Sequence, residues 1–125
     1  MREGRGIVQY LADMVEAADA IRSFIRGMSR EAFDSDKRTQ DAVIRNLEVI
    51  GEAVKNIPDA FKKEHPEISW HSIAAMRDKL IHGYFGVDAD IVWRTVTEDL
   101  PALEGQVRKL RTEVEDRHAP RSPRS

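Results

Sequence analysis

Apolar residues recur every three or four positions along almost the whole chain, and no stretch reads as a strand. Ile7, Tyr10, Leu11, Met14, Ala18, Ile21 and Ile25 mark one face of a helix of roughly 20 residues, ending near Gly27. Ser29 is placed to cap a short turn through Ala32 and Phe33. Asp36 can cap the next helix, whose apolar face is Val43, Ile44, Leu47, Ile50, Val54 and Ile57 and which Pro58 stops. Gly51 lies on that apolar side, where a glycine costs about 1 kcal/mol relative to alanine. The compensating use is close approach of a neighbouring helix. Residues 59–66 form a connector with room for one helical turn.

Ser69 is the next expected cap, ahead of Trp70, Ile73, Met76 and Leu80, and this helix should end at Gly83. Asp88 opens the last helical region, with Ile91, Val92, Val96, Leu100, Leu103, Val107, Leu110 and Val114 on its apolar side. Pro101 predicts a kink or a break there, with a new helix starting at the proline. The pattern implies an all-α domain over residues 1–116, an antiparallel bundle of four to five helices. Residues 117–125, rich in Arg, Pro and Ser, are expected to be a disordered tail.

Composition narrows the function classes. With 41% hydrophobic and 34% charged residues in 125, the chain can build a core and stay in water. It has no cysteine, which excludes disulfides, thiol chemistry and thiolate metal sites. No apolar run is long enough to span a bilayer, and Asp13 and Glu16 interrupt any leader-like stretch, so a cytoplasmic protein is expected. The net charge is −2, and removing the three tail arginines takes the body to −5. Any nucleic-acid contact must therefore come from a local cluster.

Four histidines, His65, His71, His82 and His118, show no i, i+3 or i, i+4 pair, so no dedicated metal site and no cofactor are expected. His65 and His71 flank loops and read as surface residues. Glu48 and Glu52 are four apart and read as a solvated flank beside Arg45 and Lys55. Gly4, Gly6, Gly83 and Gly86 do not form a phosphate loop. Met14, Met28 and Met76 read as core filler, and Trp70 and Trp93 as helix-face packing.

The stretch RDKLIHGYF, residues 77–85, stands apart. If Ile73, Met76 and Leu80 form the buried stripe, Arg77 lies about 40° from Ile73, beside it. A charge against an apolar face needs a partner or a purpose. His82 is about 140° from Arg77 on a regular helix. Unwinding at Gly83, or pairing of two chains about a two-fold axis, would bring such groups together. The plain alternative is a helix C-terminus, with a cationic His82 favouring the dipole and Gly83 as the left-handed cap.

Arg77, His82 and Tyr84 form R-x4-H-x-Y, which resembles the signature of the HepT-like toxins of the HEPN superfamily. The segments KRTQDAVIRNLEVIGEAVKNIP, PEISWHSIAAMRDKLIHGYFGVD and VWRTVTEDLPALEGQV resemble family segments in order and spacing, over about residues 5–112. The resemblance implies an all-α homodimer with the motifs facing a shared cleft. It implies the toxin of a two-gene toxin–antitoxin system, whose partner is an MntA-like minimal nucleotidyltransferase. The implied activity is a metal-independent endoribonuclease acting on RNA, possible targets including tRNA, with Arg77 and His82 catalytic. Asp78 would support either residue, and Tyr84 would be the tyrosine that the partner silences by AMP modification. The alternative is a non-catalytic nucleotide- or partner-binding helical module that is only a target of the nucleotidyltransferase.

Overall fold

The expected caps set the helix boundaries in the computed structural model, which describes residues 2–82 and 89–118. Helix α1 (Arg2–Ile25) gives way to Gly27, whose φ of 70° is the left-handed conformation a side chain would oppose. The Ser29 hydroxyl accepts from Ala32 N at 3.0 Å and opens α2 (Arg30–Asp34). Asp36 opens α3 (Lys37–Asn56) by accepting from Thr39 N at 3.0 Å and from its hydroxyl at 2.7 Å. These two bonds hold the Asp36 carboxyl below its ordinary pKa. Pro58 follows α3 and precedes α4 (Asp59–Glu64), the single turn expected in the connector. The Ser69 carbonyl accepts from Ile73 N at 3.2 Å at the head of α5 (Trp70–His82).

Further along the chain, α6 (Ala89–Arg94) passes through a π-helical turn (Thr95–Asp99) into α7 (Leu100–His118). Leu100 N bonds to Thr95 O, five residues back, and Pro101 follows in the first turn of α7. Proline lacks the N–H that a regular helix would use here and clashes with the carbonyl four residues earlier. The widened turn gives that carbonyl room. Thr95 and Thr97 donate their hydroxyls to Ile91 O and Trp93 O, each at 2.7 Å, satisfying carbonyls along the loosened stretch. The expected break is thus a π turn inside one continuous helical rod.

The turn also explains Ile91. The buried stripe runs Val92, Val96, Leu100, spaced by four, and continues to Glu104 and Val107. Steps of four drift by about 40° on a regular helix, and the underwound turn absorbs the drift. Ile91, expected on the apolar face, is one residue off this stripe and 50% exposed.

α1 is the centre of the bundle, with α3 and α7 packed on it and α5 packed on α3. Leu11, Met14 and Ile21 meet Val43, Ile50 and Val54 of α3 and Val96, Leu100 and Leu110 in one core, which Phe33 of α2 completes. α1 and α7 run antiparallel, since Asp19 meets Arg108 while Arg22 meets Glu104. Glu104 is only 3% exposed; it accepts from Arg22 Nη1 at 2.8 Å and Arg108 Nε at 3.0 Å. Arg108 Nη2 also reaches both Asp19 oxygens, at 2.7 and 2.8 Å. Two partly exposed arginines thus bring one buried carboxylate into the seam. The described residues form an all-α HEPN-like bundle, and among them no helix is long and apolar enough to cross a membrane. α7 runs to His118, and residues 119–125 of the expected tail lie outside the described residues.

Candidate active site

Arg77 sits where α5 crosses α3. A Cβ built on Gly51 would overlap the Arg77 Cβ, lie 2.5 Å from its Cγ and 3.4 Å from its Cα. Gly51 is therefore the notch expected on the apolar side of α3, and the Arg77 stem fills it. Arg77 does more than flank a buried stripe: its aliphatic stem is itself the packing contact, as long cationic side chains permit. Ile73 and Met76 are only half-buried, Trp70 is the residue of α5 that enters the core among those described, and the Leu80 side chain lies outside the described residues.

The Arg77 side chain is 22% exposed, and its guanidinium is loosely held. Glu52 Oε1 lies 3.5 Å from Nη2 and Asp78 Oδ1 lies 3.3 Å from Nη1. Nε is buried and makes no hydrogen bond among the described residues. Asp78 is committed elsewhere, because its Oδ1 accepts from Lys55 Nζ at 2.6 Å. That Lys55 bond, with Arg77 second, holds the Asp78 carboxyl below its ordinary pKa. Asp78 thus contacts Arg77, while the His82 side chain, its other expected partner, lies outside the described residues. Charge-assisted hydrogen bonds in tight pairs run about 2.7–2.9 Å, so Arg77 keeps donors to spare for an incoming oxyanion.

Arg77 also forms part of the wall of a cleft of about 410 Å³ between α1, α3 and α5. Its walls include Tyr10 and Asp13 of α1 and Arg45, Glu48 and Glu52 of α3. Glu48 and Glu52, read from the sequence as a solvated flank, are thus cleft residues, and Lys55 has turned to Asp78. A second groove, about 470 Å³, lies towards the π turn and is lined by Met76, Leu103, Glu67, Glu98 and Asp99 among others. It is larger, but no cation lines it among the described residues, so the cleft at Arg77 is the better candidate for a phosphate. Among the described residues no three His, Asp or Glu side chains are grouped to hold a metal ion.

α5 is helical through His82, which keeps positions 77 and 82 about 140° apart around its axis. The His82 side chain and Tyr84 lie outside the described residues. His65, expected at the surface, is buried. Its ring lies 4.6 Å from that of Phe61, its carbonyl accepts from Trp70 Nε1 at 2.9 Å, and Nδ1 is 3.3 Å from Glu67 Oε2. The connector turns inward because Phe61 and Ile68 anchor it on both sides. His71 is exposed, as expected.

Comparison with known proteins identifies the family. The family described as Ribonuclease HepT-like matches residues 14–110. "Probable ribonuclease HepT" of Thermococcus cleftensis is 58% identical over 102 residues, covering 82% of this chain and 93% of that protein. A protein of Caldanaerobacter subterraneus named "Putative RNase" is 43% identical, over 81% of this chain and 90% of its own. One of Methanocaldococcus jannaschii with the same designation is 42% identical, over 85% of this chain and 88% of its own. No solved structure matches significantly. With these matches spanning both the Gly51 notch and the Arg77 motif, the chain belongs to the ribonuclease HepT-like family of HEPN-type proteins.

Proposed function

We propose that the protein is a metal-independent endoribonuclease, and the toxin of a HepT/MntA-type pair. The observation that carries the reading is the Arg77 guanidinium, anchored by its stem in the α3–α5 crossing yet held at its head only by loose acid contacts. Membership of a family described as ribonuclease supports the substrate class.

RNA brings its own nucleophile, the 2′-hydroxyl. A histidine near neutral pKa takes that proton, the 2′-oxygen attacks phosphorus, and the bond to the 5′-oxygen breaks. A second acid returns a proton to the leaving oxygen. The products are a 2′,3′-cyclic phosphate and a 5′-hydroxyl. Arg77 neutralises the phosphate and the charge that builds on it, and His82 is the base. A regular α5 separates positions 77 and 82, and each chain has one motif histidine. A two-fold dimer answers both points, because it supplies a second arginine and a second histidine to one cleft. The Gly51 notch seats the stem of Arg77, and Lys55 draws the Asp78 carboxylate away so that the guanidinium head stays available. In this reading AMP modification of Tyr84 by an MntA-like nucleotidyltransferase adds bulk and negative charge where RNA phosphate must sit, silencing the enzyme.

The test is cleavage of a tRNA pool by unmodified protein in excess chelator, beside His82→Ala and Arg77→Ala, with end-group analysis. Cutting that survives chelation, leaves cyclic phosphate and disappears in both variants is the expected result. No cutting by protein whose mass shows an unmodified Tyr84 would overturn it and leave a docking module.

A further inference from the structure

We propose that the cleft beside Arg77 is a base pocket that selects guanine next to the bound phosphate, with Glu48 and Arg45 reading the base edge and Tyr10 stacking on its face. The choice of RNA as ligand rests on the ribonuclease reading above. Arg45 and Glu48 stand one turn apart on α3 and both line the cleft. Neither makes a hydrogen bond or ion pair among the described residues. The other acids there are engaged: Asp13 accepts from Gln9 Nε2 at 2.9 Å, and Glu52 faces Arg77. Among the described residues the cleft thus presents one carboxylate without a partner, with two acceptor oxygens, next to one such guanidinium, which only donates.

That order, two acceptors and then a donor, complements one nucleobase. The Watson–Crick edge of guanine offers two adjacent donors, N2–H and N1–H, and then the O6 acceptor. Adenine, cytosine and uracil each set at least one acceptor against a carboxylate oxygen. Single-stranded RNA bases are read in this way, edge by hydrogen bonds and face by an aromatic ring, and Tyr10 is the aromatic residue that lines the cleft among the described residues. At about 410 Å³ the cleft is at the small end of ligand sites, which suits one nucleotide. With Arg77 on the same wall, a base held by Glu48 has its phosphate at the guanidinium.

The experiment is equilibrium binding by anisotropy at fixed salt, using short 2′-O-methyl oligonucleotides, which lack the nucleophile and cannot be cut. Each carries a single G, A, C, U or inosine in an otherwise constant context. Wild type is expected to bind the G oligonucleotide about tenfold more tightly than the A one, the effect of one good bidentate contact. Inosine, without the N2 amine, should lose most of that preference. Glu48→Gln should erase it, since an amide no longer offers two acceptors, and Tyr10→Leu should weaken all five alike. Equal binding of all five, no binding, or a G preference that survives in Glu48→Gln would overturn the proposal. Cleavage without base preference would sink this inference alone, whereas G-selective binding without cleavage would sink the ribonuclease reading alone.

Discussion

Gly51→Ala separates helix propensity from the geometry of the site. In an exposed helix the change should stabilise by about 1 kcal/mol. Here the new methyl would lie 2.5 Å from Arg77 Cγ and 3.4 Å from Arg77 Cα. Carbon atoms prefer roughly 3.5–4.0 Å. Arg77 cannot yield by swinging its far end, because the atoms met first are the stem and the backbone. α5 must therefore move off α3 by on the order of 1 Å. Overpacking of this kind costs about 1–3 kcal/mol, so the net change is a loss of up to about 2 kcal/mol after the propensity gain. With Arg77 in the proposed catalytic role, the larger effect falls on the cleavage rate, since a misplacement of about 1 Å can cost on the order of 100-fold. Urea denaturation gives the stability, and single-turnover cleavage of a defined RNA gives the rate. A protein that becomes more stable and cuts at the wild-type rate would refute the claim that Gly51 exists to seat Arg77.

Arg77→Lys keeps the charge and much of the stem but loses the planar fork, and should cut at least tenfold more slowly at nearly unchanged Tm. Glu104→Ala removes the buried acceptor shared by Arg22 and Arg108, and should lower stability by about 2 kcal/mol, the scale of a hydrogen bond to a charged group, in a denaturant melt. Acid should loosen the bundle in a defined direction. Asp19, held low chiefly by Arg108, Asp36, held low by Thr39, and Asp78, held low by Lys55, all have folded pKa values below their unfolded ones. The unfolded chain then binds more protons, so their contribution is full above the ordinary carboxylate pKa of about 4 and is lost as pH falls below it. A Tm that rises on acidification from pH 5 to 3 would contradict this.

Local signals were legible in the sequence because they act within a few residues. Gly27, Ser29, Asp36 and Pro58 each stand where a cap or stop was expected, since a cap needs only its own turn. The notch at Gly51 was visible as a glycine on an apolar face, but its occupant was not: Arg77 is 26 positions away, and periodicity says nothing about which helix crosses where. His65 was misread for a similar reason. A polar residue in a connector looks solvated until Phe61 and Ile68 fold it inward. Glu104 reads as one more charge on α7, and only Arg22 of another helix explains its burial. Ile91 fell off the stripe because a wheel of 3.6 residues assumes no π turn. At the site, the motif named Arg77, whereas the cleft residues Tyr10, Arg45 and Glu48 come from two other helices and carried no joint signal.

The π turn at Thr95–Asp99 holds one residue more than an unbroken α-helix would need. Length changes in this rod are therefore not equivalent along it. Removing a single residue between Thr95 and Asp99 would let the turn relax to ordinary helical bonding while Val92 and Leu100 keep a common side. The same deletion further along α7 would rotate everything beyond it by about 100°, swinging Leu110 and Val114 out of register with α1. The surplus residue makes this turn the one stretch of the rod with a tolerance for shortening, and related chains that lack it should have lost the proline with it.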